Sequence, residues 1–69
     1  MEIKVGDILV RTSERAIVQI VKIGTKALQV KILKSENPRY IEGKLQFISK
    51  NFKHSKFREI TPEEKMELL

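Results

Sequence analysis

Chemistry by a side-chain base would have to start at His54, the one imidazole in the chain. Its neighbours Lys53, Ser55 and Lys56 supply a hydroxyl but no carboxylate to orient the ring. A nucleophile, base and acid relay needs all three groups within hydrogen-bond reach, so only the fold could assemble one. The chain therefore reads as non-enzymatic, with His54 an exposed loop residue beside lysines. Without cysteine, and with a single histidine, neither a disulfide framework nor a Cys/His zinc site can be built, and no metal or cofactor is expected. Gly6, Gly24 and Gly43 are isolated and none opens a helix, so a phosphate-cradling glycine loop is also missing.

Binding chemistry is better represented. Residues 43–58 contain no acid, while Lys44, Lys50, Lys53, Lys56 and Arg58 interleave with Phe47, Phe52 and Phe57. Such a stretch offers charge attraction and stacking to a nucleic acid; the same spacing also suits a strand pair whose aromatics face inward and whose lysines face water. A second acid-free segment, residues 15–35, carries Arg15, Lys22, Lys26, Lys31 and Lys34. The two segments hold ten of the 14 Lys and Arg residues of a chain with net charge +5. If they form neighbouring strands, one side of the domain is strongly basic; the plainer alternative is that strand lysines keep edges and outer faces soluble.

Phe47, Phe52 and Phe57 alternate between odd and even positions, so a continuous strand could not present them on one face. A turn near Asn51 to Ser55 would reset the register. The reading places Phe47 and Phe57 in the core and leaves Phe52 as the exposed aromatic, with Tyr40, beside Arg39 and after Pro38, as the second stacking candidate. Lys22, Lys31, Lys44, Lys50, Lys53, Lys56 and Arg58 would contact phosphates while Tyr40 and Phe52 stack on bases. Arg39 joins this set or, together with Arg58, clamps carboxylates on an acidic protein surface.

These residues need a frame, and the pattern is mainly β. A turn at Val5-Gly6-Asp7 leads into a strand over 8–12, followed by the β-branched run 16–23, which suits a central or bent strand. Gly24 and Thr25 read as a hairpin connection that uses the positive backbone angle open to glycine. In the third strand, 26–34, Leu28, Val30 and Ile32 alternate with Gln29 and Lys31, which leaves Lys31 exposed. Residues 35–39 form a loop; Glu42-Gly43 is a turn, or a bulge in one bent strand; residues 57–60 are a short closing strand. Thr61-Pro62-Glu63-Glu64 starts a C-terminal helix, with a capping threonine, proline at the first position and glutamate three residues after the cap. Its Met66, Leu68 and Leu69 are expected to dock on the barrel and cover one mouth, with docking on a partner or a second copy as the alternative.

Five short strands in under 60 residues fit a small barrel, because closure removes exposed edges. With Val5-Gly6-Asp7-Ile8-Leu9-Val10-Arg11, a polar turn and Arg15-Ala16-Ile17-Val18-Gln19-Ile20-Val21-Lys22-Ile23, the chain resembles the Src-homology-3-like small barrels, in particular their KOW and Tudor-like subset. In KOW-type modules the two strands are joined by a glycine-containing turn; here Ser13-Glu14-Arg15-Ala16 stands there, with Ala16, Val18 and Val21 or Ile23 at the later motif positions. The resemblance implies a five-stranded Src-homology-3-like barrel, here residues 1–60; the chain's length leaves room for one domain only, residues 1–69, with the C-terminal helix at 61–69.

No run of about 18 apolar residues exists to span a membrane. The acid at Glu2 and the early Gly-Asp turn leave no apolar stretch for a signal peptide, so a cytoplasmic location is expected. Two functional readings stand. The first is a basic module that binds nucleic acid with limited sequence selectivity. The second is a protein-interaction module, an adaptor, a regulator or a viral or mobile-element inhibitor of a host factor, that binds an acidic or apolar surface or forms a homo-oligomer.

Overall fold

The β-branched run at residues 16–23 has strands on both sides. In the computed structural model, which describes residues 3–12, 15–49 and 56–68, it is the central strand of five. The elements are β1 (Ile8–Arg11), β2 (Ala16–Ile23), β3 (Ala27–Ser35), β4 (Leu45–Ser49), β5 (Phe57–Glu59) and α1 (Pro62–Glu67). All neighbours are antiparallel in the order β4-β3-β2-β1-β5. Register shifts at Ile17/Val18 and Ile20/Lys22 mark irregularities in the pairing of β2 with β3, the kind of feature that bends a strand.

One face carries the core. Leu9, Ala16, Val18, Ile20, Leu28, Val30, Ile32 and Ile48 are buried together, with Ile3, Tyr40 and Phe57 packed against them. Val18, Ile20 and Val30 are fully excluded from water although no second sheet covers them. A single sheet can do this only by curling over its own inner face, so the fold is a small barrel-like one in which β4 and β5 remain edges. Among the described residues no helix is long and apolar enough to cross a membrane.

The connections show how glycine is used. Gly6, at φ +95°, turns the chain into β1, and its N–H donates to the Ile20 carbonyl at 2.7 Å. Ile41 to Lys44 form a turn closed by the Lys44 N–H on the Ile41 carbonyl at 3.1 Å, with Gly43 at φ +85°; the Gly43 N–H donates to the Ile32 carbonyl at 2.7 Å and the Ile32 N–H to the Lys44 carbonyl at 2.9 Å, so two residues oppose one and the turn runs into a glycine bulge. The β2–β3 hairpin forms as expected, but Gly24 has no positive φ; a Cβ there would lie 3.0 Å from the Ala27 carbonyl oxygen, so close approach is what glycine permits.

Two expectations are corrected. Phe47 is 71% exposed: Ile48 faces inward opposite Leu28, so alternation turns Phe47 outward opposite Gln29. Phe57 does pack against the core. Met66 does not dock on the barrel, since it is 73% exposed and no residue of α1 is buried, while Leu68, just beyond α1, is half-buried. Leu69 lies outside the described residues.

Polar groups hold α1 instead. Thr61 and Glu64 form a reciprocal capping box. Glu64 also accepts a two-pronged bond from Arg58, both distances 2.7 Å, and Glu67 pairs with Lys34 at 2.8 Å. These groups share a depression with Val10 and Ile17, which are buried on the face opposite the core. The aliphatic stems of Lys34 and Arg58 suit that apolar floor while their charged ends reach the helix.

Candidate nucleic-acid interface

The two acid-free segments become adjacent strands. β2 and β3 come from the first and β4 from the second, and they lie side by side. Two cross-strand rows follow on the outward face: Lys22, Gln29 and Phe47, then Gln19, Lys31 and Leu45. Lys22, Lys31, Leu45 and Phe47 are exposed, and Gln19 and Gln29 half-buried. No acid occupies either row. Neighbouring strands lie about 5 Å apart, so the backbones of Gln29 and Lys22 are roughly 5 and 10 Å from that of Phe47 along its row, and Lys31 is its diagonal neighbour at about 7–8 Å. Lys22, Lys26, Gln29 and Phe47 line one shallow depression at the β2–β3 hairpin. Lys44, exposed, immediately precedes Leu45.

This arrangement offers an aromatic face for stacking, flanking ammonium groups for phosphates, and glutamine amides for hydrogen bonding. Stacking is sequence-tolerant because every base has a π-face, and lysines read charge rather than sequence.

The expected contact residues divide into groups. Lys22, Lys31 and Lys44 belong to this face or its border. Arg39 is exposed on the loop after β3, where its N–H donates to Asn37 Oδ1 at 3.0 Å. Tyr40 is half-buried against the core, with the Arg11 guanidinium carbon 5.7 Å from its ring centroid, so the expectation of a free stacking tyrosine is corrected. Lys56 is exposed near the end of β1, its carbonyl accepting from Thr12 N and Oγ1. Arg58 is exposed, and its guanidinium is engaged by Glu64. That pairing, followed by the Thr61 backbone N–H, lowers the Glu64 carboxyl to about 2 and raises Arg58 above its usual value. The hydrogen bond from Lys34 to Glu67 likewise raises Lys34. Lys50, Phe52, Lys53 and His54 lie outside the described residues.

Phe47, Leu45, Lys26 and Gln29 are the members that the sequence reading did not place at a site. In β4 the sets Leu45/Phe47 and Gln46/Ile48 both contain large apolar groups, so period two alone leaves the inward set open. The pairing of Ile48 with Leu28 decides it. Comparison with protein-family models, curated proteins and solved structures finds no match.

Proposed function

We propose that the chain is a non-enzymatic module that binds single-stranded nucleic acid, with limited sequence selectivity, on the outward face of β2, β3 and β4. The observation that carries the reading is Phe47, 71% exposed on cross-strand rows that carry lysines and no acid. A domain this small can scarcely leave a large aromatic in water without loss of core. Phe47 stacks on a base while Lys22, Lys31 and Lys44 neutralise phosphates.

The likeness to KOW and Tudor-like barrels is part of this proposal. It is supported by the Gly6-Asp7 turn ahead of β1 and by Arg15, whose φ of +53° is a conformation suited to glycine, in the turn where the motif carries one. A second reading, a protein-interaction module, is favoured by the exposed Leu45 and Phe47 on an edge strand, which could receive a partner's strand.

Fluorescence-anisotropy titration against single-stranded and duplex DNA and RNA at two salt concentrations tests the proposal. Micromolar binding to single strands that weakens steeply with salt is the expected result. No binding at low salt would reject it and leave the protein-interaction reading.

A further inference from the structure

Arg11 is the one charged residue among the buried residues described, at 6% exposure. It ends β1 two positions after the core residue Leu9, so it points to the inner face, between Ala16 of β2 and Phe57 of β5. A guanidinium keeps its charge at any physiological pH, so burial cannot be relieved by losing a proton. Such a group ordinarily has a carboxylate beside it. Among the described residues the ion pairs are those of Lys34 and Arg58, and Arg11 Nε is buried with no hydrogen-bond partner. The contact recorded for the guanidinium is the face of Tyr40. An arginine whose planar face is occupied still has its edge, and the Nε–H and Nη–H donors on that edge match two oxygens of one oxyanion.

The geometry points to Arg11, roofed by Tyr40, as a binding site for a phosphate group. It lies on the inner face of the sheet, opposite the Phe47 surface, and does not depend on that surface binding nucleic acid. Tyr40 belongs to the loop between β3 and β4, and binding requires its ring to move aside to admit the ion to Nε. The phosphate is either the free ion or the terminal phosphate of a strand.

The test follows the arginine side-chain Nε–H resonances by NMR while inorganic phosphate replaces chloride at constant ionic strength. A saturable shift of the Arg11 signal is expected, with a rise in Tm that Arg11→Met lacks. Arg11→Lys, which keeps the charge if Arg11→Met fails to fold, should bind phosphate at least tenfold more weakly. No saturable shift in the wild type, or an unchanged phosphate response in Arg11→Lys, overturns the site. A preference for 5′-phosphorylated over 5′-hydroxyl oligonucleotide that Arg11→Lys loses assigns the strand end as the source. Equal affinities together with the phosphate shift assign the free ion. Phe47→Ala should retain the phosphate shift, which separates this site from the outward face.

Discussion

Replacing Phe47 by alanine separates a stacking platform from a packing residue. Truncating a buried phenylalanine costs about 3–5 kcal/mol. Phe47 is 71% exposed, so only about three-tenths of that, roughly 1 kcal/mol, should be lost from stability. Base stacking on an aromatic is worth about 1–3 kcal/mol per base, which converts to about a 5- to 150-fold loss of affinity for a single-stranded oligonucleotide. Ile48→Ala, one position along, is the internal control: Ile48 is 3% exposed, and its truncation should cost about 2–5 kcal/mol. Urea unfolding and anisotropy on the same preparations give both quantities. A loss of stability in Phe47→Ala equal to that of Ile48→Ala would refute the register of β4. Unchanged affinity in a folded Phe47→Ala would refute the platform.

Charge reversal of Lys22 and Lys31 to glutamate should weaken single-strand binding and make the slope of log K against log salt shallower by about 1.4, two phosphate contacts at about 0.7 each; titrations at four salt concentrations measure it. Arg15→Gly should raise stability by about 1 kcal/mol in thermal melts, because Arg15 holds φ +53° against the preference of an L-residue. Glu64 titrates near 2 when folded against an ordinary 4.5, so its contribution is complete above the ordinary value and lost as pH falls through about 2. NMR of the Glu64 carboxyl should find that low midpoint, and Arg58→Met should return it towards the ordinary range.

Much of the frame is legible in local chemistry. The β-branched run specifies β2 with the observed limits, Ala16–Ile23, and Thr61, Pro62 and Glu64 specify the start of α1, because capping is a contact between residues three apart. What local pattern leaves open depends on distant partners. Phe47 and Ile48 compete for the inner face of β4, and the answer lies in β3, where Leu28 receives Ile48. The helix looks apolar at Met66 and Leu68, yet Arg58 and Lys34, from two strands, engage its glutamates. Gly24 is read correctly as a hairpin residue for the wrong reason, since its constraint is the nearby Ala27 carbonyl. The site is legible as two acid-free segments; their adjacency follows from the strand order β4-β3-β2.

Amide chemical-shift mapping with a short single-stranded oligonucleotide tests the central claim most directly. The account predicts perturbations concentrated at Lys22, Gln29, Lys31, Leu45 and Phe47 that diminish as salt is raised. Binding with shifts confined to β1, β5 and α1, or no shifts at low salt, would contradict it.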